Sequence, residues 1–341
     1  MLTKYSFLKV RLMWLLLIKG KLSVRKLINT AHCYIAYWLK TNRAARTPFL
    51  INFELSNNCN ESCVFCRTSN GKIYDLNPDS AEGFVPKGVM KPNIFADIVR
   101  QTKDTLLMAI PYVNGEPLIY QYLEDVLHVA KENNVATIIS SNGILLNETN
   151  IDKILDNDLD LIKVHVSGFT DDVHQIQHRL GSVEEIKRNL SLLARKIDEK
   201  KARLIVLVDY IRYKHNVHQI DEFSRFAERH GFLFSVRPGN PKGMEEIEEP
   251  QPINFAASKI PCDWLWKALT VNWNGDMLPC CDYVTWSNVQ GYERFEARKT
   301  DVLATWNGAK ARWMRETHRE KGRKTIPICS GCTRVGIEYK Y

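Results

Sequence analysis

Apolar and polar positions follow two rhythms along this chain. Short aliphatic and β-branched runs at 49–55, 105–112, 136–141, 160–167, 202–211 and 232–237 have the length of buried strands. Between them, residues 93–103, 118–133, 147–156, 182–200 and 216–230 set apolar side chains three and four apart, as helices do. This alternation predicts an α/β fold, a parallel sheet with helices outside, whose ligand site lies where loops gather at the carboxyl ends of the strands. Residues 71–92, punctuated by Gly71, Pro78, Gly83, Pro86 and Gly88, read as an inserted loop or lid. Gly239, Pro241, Gly243 and Pro250 flank the acidic run 245–249 and read as a linker.

Ahead of the first strand, Leu12 to Ile18 form an apolar run bounded by Arg11 and Lys19. That run is far shorter than the ~20 residues needed to cross a bilayer. Leu22, Leu27, Ile28, Ala31, Tyr34, Ile35 and Trp38 give a second helix, from Ser23 to about Lys40, one apolar face. That face either packs against the body of the protein or rests on anionic lipid or an acidic partner. Gly20-Lys21-Leu22-Ser23 offers no small-residue cleavage pattern, so a cytoplasmic protein with peripheral membrane contact is the most that residues 1–46 imply.

Charge sharpens this division. Residues 1–53 carry ten cations and no acid, so of the net +8 the remainder of the chain holds about −2, and no nucleic-acid partner is expected. The 341 residues suffice for about two domains. The nine cysteines cluster as loop ligands rather than as spaced pairs, which implies a reducing compartment. Cys33, within the second helix, reads as a small buried apolar residue.

The chemistry lies in those clusters. Cys59, Cys63 and Cys66 follow the first strand at three- and two-residue gaps, and three thiolates leave one corner of a four-iron cluster open for a small ligand. A zinc knuckle would need a fourth ligand nearby, and no Cys or His lies between residues 67 and 127. The strand and its Cys-x3-Cys-x2-Cys loop resemble the radical S-adenosylmethionine (radical SAM) superfamily, in which SAM chelates the open iron. The resemblance extends along the strand ends. Asn114-Gly115-Glu116-Pro117 is similar to the family's Gly-Gly-Glu-Pro turn for the SAM amino group, with Asn114 in place of the first glycine. Ser141-Asn142-Gly143 and Val166-Ser167-Gly168 match polar turns near SAM, Arg179 matches an arginine near the SAM carboxylate, and Phe65 would lie against adenine. The fold so implied is a partial (β/α)6 barrel over 48–240, after a basic helical leader, 1–47.

A second set comprises Cys262, Gly275, Cys280, Cys329 and Cys332. It resembles the auxiliary-cluster module called twitch, a relative of the SPASM domain, and implies a small α+β domain over 262–341 after a linker, 241–261. Four thiolates close a second [4Fe-4S] cluster, or alternatively a zinc site. Cys281 is left to pack, to substitute for Cys280, or to donate a hydrogen atom to a substrate radical. The resemblance implies reductive cleavage of SAM, fed by a flavodoxin or ferredoxin, and hydrogen abstraction from a C–H bond. Dehydrogenation of a small sugar- or cyclitol-like substrate, with the auxiliary cluster as electron acceptor, is the expectation. Radical modification or epimerisation of a ribosomally made peptide is the alternative, and a non-catalytic electron carrier the reading of another class. Lys163, His165 and Ser167 alternate to one face of the fourth strand and are the candidates to meet substrate.

Overall fold

A computed structural model describes residues 4–64, 66, 87–239, 261–281, 291–296, 298–330 and 332. Six strands, β1 (Leu50–Phe53), β2 (Met108–Ile110), β3 (Ala136–Ser141), β4 (Leu161–Val166), β5 (Ile205–Arg212) and β6 (Leu233–Pro238), pair in parallel, each with the next. Their order is β6-β5-β4-β3-β2-β1, the parallel sheet expected from the alternation of strands and helices and the partial barrel that the resemblance implied. All six lie within or overlap the apolar runs. Strands buried on both faces need apolar residues throughout, and Ile162, Val164 and Val166 of β4 point outward under the helices.

The helices are α1 (Lys4–Ile18), α2 (Val24–Leu39), α3 (Pro92–Thr102), α4 (Leu123–Glu132), α5 (Glu148–Asp156), α6 (Asp171–His174), α7 (Val183–Lys200) and α8 (Ile220–Arg229). Side chains start several of them: Ser23 accepts from the Lys26 amide, Asn147 from Asn150 and Ser182 from Glu185. The helical stretches expected at 118–133 and 216–230 each open with a 3-10 turn, Pro117–Ile119 and Lys214–Gln219, before the α-helix proper.

The leader is built into the barrel. From α1, Leu8, Leu12 and Leu15 pack among Met108, Ile138, Leu161, Ile205 and Leu233, which lie at or near the amino-terminal ends of their strands, so α1 forms an apolar floor there. Lys19 and Lys21 then turn inward to Asp158 and Asp160, with Lys21 Nζ 2.8 Å from the buried Asp160 Oδ2. Of the expected apolar row, Leu22 and Tyr34 pack against the body, Tyr34 stacked on Phe49, while Leu27, Ile28, Ile35 and Trp38 face outward. The buried row of α2 is Lys26, Asn29, Cys33 and Ala36, because Asn29 donates to Thr47 O and Thr105 O and Lys26 to Asn134 O. Cys33 is wholly buried, as expected, and burial pushes its thiol up to about 12.

The sheet continues past the point where the linker was expected to separate two domains. After α9 (Trp264–Lys267), β7 (Ala268–Val271) pairs in parallel with β1, and β8 (Asp276–Leu278) and β9 (Glu293–Arg294) follow antiparallel. The result is one nine-stranded sheet. Helices α10 (Val302–Trp306), α11 (Ala309–Glu320) and α12 (Pro327–Ser330) complete the unit. Buried Arg315 ties it together, donating to Leu265 O, Trp306 O, Asn42 O and Asn307 Oδ1. Residues 240–260 of the expected linker and 71–86 of the expected lid lie outside the described residues.

Candidate active site

The carboxyl end of β1 runs directly into the first cysteine loop. Ser56 Oγ donates to Gly88 O and Gly88 N to Asn57 Oδ1, which pins the approach to Cys59. Within the loop, Glu61 N donates to Cys59 Sγ at 3.4 Å and Cys66 N to Cys63 O at 3.1 Å. Cys59 is exposed, Cys63 and Cys66 are half-buried, and none of the nine cysteines is in a disulfide. Although the Cys59 residue is exposed, protein atoms crowd its sulfur and, against the hydrogen bond from Glu61 N and with the Glu116 and Glu61 carboxylates nearby, push the thiol up to about 12, and burial with Glu61 pushes Cys63 up as well. A loop that holds thiols protonated beside carboxylates is completed by a cationic centre, which makes thiolates ligands and offsets their charge. The donor set therefore fits an iron cluster held by Cys59, Cys63 and Cys66.

Beside the loop stands the Asn114-Gly115-Glu116-Pro117 turn. Gly115 adopts φ +72°, and a Cβ there would lie 2.5 Å from both Ser56 O and Asn58 O, so only glycine allows the turn to close on the cysteine approach. Glu116 N donates to Asn58 O, and Asn114 Nδ2 donates to Glu54 Oε1 at 2.7 Å. The Glu116 carboxylate is buried and takes hydrogen bonds from Leu118 N, Ser141 Oγ at 2.9 Å and Asn142 N at 2.8 Å. Burial outweighs these donors and pushes Glu116 up to about 7. Asn142 Nδ2 reaches Asn60 Oδ1 at 2.8 Å, so the turns after β2 and β3 both meet the cysteine loop.

The end of β4 brings together a group that no motif in the sequence singles out. His178 Nδ1 lies 3.0 Å from Glu61 Oε2 and 3.3 Å from Cys63 Sγ, and its Nε2 lies 3.1 Å from Ser167 Oγ. His174 stacks on His178 at 4.3 Å, and its Nδ1 accepts from Ser167 N. Glu61, His174 and His178 present ligand-type atoms within 4.8 Å of one another, all buried. They back onto Cys63 and form an outer layer of the same loop. Gly181 permits it, since a Cβ there would meet Glu61 Oε1 at 2.3 Å. Ser167 is thus engaged by both histidines, whereas Arg179 is exposed. Phe65 lies outside the described residues.

Deeper on the inward face, His165, Asp209 and Ser235 occupy one register row of β4, β5 and β6. Asp209 Oδ2 is 3.2 Å from His165 Nδ1 and 2.7 Å from Arg237 Nε, and Ser235 Oγ donates to Asp209 Oδ1. Burial alone would raise Asp209, but His165 and Arg237 more than offset it and hold the carboxyl below its usual range. Burial lowers both His165 and Lys163, against the pull of Asp209. Lys163 and His165 therefore do share a face with Ser167, and Asp209, Ser235 and Arg237 complete their group. Period-two alternation placed the residues of β4, but nothing local to the sequence named their partners on β5 and β6.

The second cysteine set gathers in the C-terminal unit. Cys280 and Cys329 pack on the main core, while Cys262, Cys280 and Cys281 pack on a second cluster containing Leu16, Leu50 and Ala268. Burial raises the Tyr292 hydroxyl, eased by Arg315 and reinforced by Cys280, Cys329 and Cys262 around it. That hydroxyl is buried without a hydrogen-bond partner among the described residues. Burial also raises Cys262, with Arg323 opposing and Cys332 adding to it. An orphaned hydroxyl among converging thiols, with buried Arg323 beside them, fits a closed cluster held by Cys262, Cys280, Cys329 and Cys332.

Comparison with known proteins agrees with this geometry. The family model of the radical SAM superfamily matches residues 53–227, and that of the SPASM iron-sulfur cluster-binding domain matches 262–333. Mycofactocin maturase MftC of Mycobacterium ulcerans (strain Agy99) is 25% identical over 222 residues, covering 64% of this chain and 55% of that relative. The chain thus matches only about half of that relative's length. The crystal structure of Streptococcus suis SuiB bound to precursor peptide SuiA superposes with a TM-score of 0.60 at 14% identity, over 81% of this chain and 68% of that one. BtrN in complex with AdoMet and 2-DOIA gives a TM-score of 0.53 at 17% identity, over 84% of this chain and 93% of that one. At these identities the two structures share the fold.

Proposed function

The chain belongs to the radical SAM superfamily, and from that premise we propose that it abstracts hydrogen from a C–H bond of a polar substrate seated over Lys163, His165, Asp209 and Arg237. The observation that carries this reading is the junction at Glu116, where the turns after β2 and β3 meet the three-thiol loop on the rim above that polar group. When bound, the first cluster and SAM supply a 5′-deoxyadenosyl radical, and the second cluster supplies an acceptor for the electron left on the substrate. Glu116, with Ser141 and Asn142 fixing its oxygens, holds the SAM ammonium. His178 donates toward Cys63 and steadies that thiolate. Below them, Lys163 and Arg237 bind anionic or hydroxyl groups of the substrate. His165, kept neutral by burial and oriented by Asp209, takes the proton that a dehydrogenation releases. The apolar floor made by α1 closes the inward face to water from the other end.

A small hydroxylated substrate suits this group, and among the structural neighbours BtrN, with 2-DOIA bound beside AdoMet, favours a small molecule. A peptide is the second reading, favoured by the maturase relative and by the SuiA-bound structure. A flavodoxin or ferredoxin would reduce the first cluster. The test uses the anaerobically reconstituted full chain with reductant, SAM and a cell extract split by ultrafiltration into small-molecule and peptide fractions. Stimulation of 5′-deoxyadenosine formation by the small-molecule fraction supports the first reading, and stimulation by the peptide fraction alone transfers the assignment to the second. Asp209→Asn should keep unstimulated SAM cleavage and lose the stimulated part. A fully active Asp209→Asn protein would remove the substrate site from the inward face.

A further inference from the structure

The first two helices present an apolar surface that the chemistry above does not use. α2 is turned inside out. Its buried row is Lys26, Asn29, Cys33 and Ala36, and its outward row is Val24, Leu27, Ile28, Ile35, Trp38 and Leu39, with Trp38 78% exposed. The helix cannot roll to hide that row, because Asn29 is bonded to Thr47 and Thr105 and Lys26 to Asn134, and rolling would strand those buried groups. α1 is apolar over most of its circumference, interrupted by Lys9 and Arg11, and so apolar a helix is ordinarily covered on most sides. Here Leu15 and Leu16 are buried while Phe7, Val10, Trp14 and Leu17 face outward. Thirteen of the twenty large exposed hydrophobic residues among the described ones fall between Phe7 and Leu39, so the exposure is concentrated on these two helices rather than scattered along the chain.

Charge decides what covers it. Lys9, Arg11 and Arg25 are exposed on the same two helices, Arg25 with Asp104 3.9 Å away, and no acid occurs before Glu54. A second copy of the chain would set these cations against one another, whereas an anionic bilayer complements them. We propose that the outer faces of α1 and α2 dock on an anionic phospholipid surface, with their apolar rows at the headgroup boundary and Trp14 and Trp38 as interfacial anchors. Neither helix crosses the bilayer, since no helix among the described residues is long and apolar enough. Because α1 floors the amino-terminal end of the barrel, docking sets that end on the lipid and leaves the cysteine loop, at the carboxyl ends of the strands, facing away from it.

The experiment is co-sedimentation of the full reconstituted chain with vesicles of phosphatidylcholine alone or mixed with phosphatidylglycerol, at low and raised salt. Pelleting should require phosphatidylglycerol and weaken with salt. Trp14→Glu with Trp38→Glu should weaken it about tenfold or more, by loss of buried apolar area. Arg11→Glu with Arg25→Glu should do the same by charge, at roughly tenfold or more for two reversals. Iron content and lipid-free SAM cleavage, which none of these four residues touches, report that each variant is folded. Absence of pelleting with anionic vesicles overturns the proposal, as does pelleting that neither pair of substitutions alters. A wild-type dimer by light scattering that Trp14→Glu with Trp38→Glu dissolves, without vesicle binding, assigns the face to a second copy instead.

Discussion

The two thiol sets are built in opposite ways. The first comes from one loop, Cys59 to Cys66, whose surroundings are titratable: Glu61, Glu116, His174 and His178. The second is assembled from segments far apart in sequence, Cys262 before α9, Cys280 after β8, and Cys329 and Cys332 at α12, around Tyr292 and Arg323. A loop at the carboxyl end of a strand can be altered without disturbing the strand pairing, so the first set should govern chemistry and contribute little to stability. A set gathered by folding is built into the frame, so the second should couple cluster occupancy to stability.

The largest expected effect breaks this comparison directly. Replacing Cys59, Cys63 and Cys66 by alanine should remove about half of about eight irons and abolish reductive SAM cleavage, while the thermal midpoint moves little. Replacing Cys329 and Cys332 should remove the other half, leave measurable 5′-deoxyadenosine formation and lower the midpoint. Iron analysis, product chromatography and calorimetry read all three quantities. 5′-Deoxyadenosine from the first variant would sink the assignment of the open cluster.

Next in size is a change of frame without a change of ligand. Arg315 is wholly buried and donates to four acceptors, three of them backbone carbonyls. Arg315→Met keeps bulk but leaves those acceptors unpaired, at a cost of about 3 kcal/mol. Chemical denaturation should show that loss, and iron should leave the C-terminal unit at lower denaturant than it leaves the first loop. Simultaneous loss from both sites would erase the distinction.

Much of this organisation was legible in the sequence, for physical reasons that also mark the limit. The strands were readable because Ile162, Val164 and Val166 are buried on a sheet covered by helices, which demands continuous apolar runs. Cysteine spacing is local in the first set, so that set could be read from its own loop, whereas the second set, spread over 262–332, was read only through its resemblance to an auxiliary-cluster module. Partners brought together by folding could not be. His178 meets Glu61 across more than a hundred residues, and His165 meets Asp209 only through strand register. Periodicity located the apolar row of α2 but not its direction, which Asn29 and Lys26 fix by bonds to Thr47, Thr105 and Asn134. Likewise Ala268–Val271 lies outside the six apolar runs, and its place beside β1, more than two hundred residues away, is set by folding rather than by any local pattern.

A smaller effect sharpens the electrostatic side of the first region. Burial raises Glu116 to about 7, so the folded protein holds this proton more tightly than the unfolded chain does. The stability that protonation confers is complete below the ordinary carboxylate pKa and is lost as pH rises through about 7. In the proposed role of Glu116 the ionised form holds the SAM ammonium, so SAM binding should have the opposite sign. Affinity measured by calorimetry should therefore rise about tenfold between roughly pH 6 and pH 8. Glu116→Gln should bind weakly and without that slope, and a slope that survives the substitution would place the titrating group elsewhere.

The smallest expected effect concerns Cys281, adjacent to a ligand of the second set. It is half-buried and packs on the cluster that includes Leu16, Leu50 and Ala268, which already accounts for a small apolar side chain. Cys281→Ala should then cost about 1 kcal/mol or less and leave the product unchanged. A donor thiol would behave otherwise. It exchanges with solvent, so turnover in heavy water would yield a redox-neutral, epimerised product carrying one deuterium. Cys281→Ala would still form 5′-deoxyadenosine and fail to place that deuterium. Dehydrogenation instead raises the oxidation level of the product and leaves no solvent mark. We expect the oxidised, unlabelled product from both proteins, because a closed second cluster within the same fold gives the substrate electron somewhere to go. Solvent deuterium in the wild-type product, lost in Cys281→Ala, would move the second region from electron acceptor to frame and make Cys281 its reactive group.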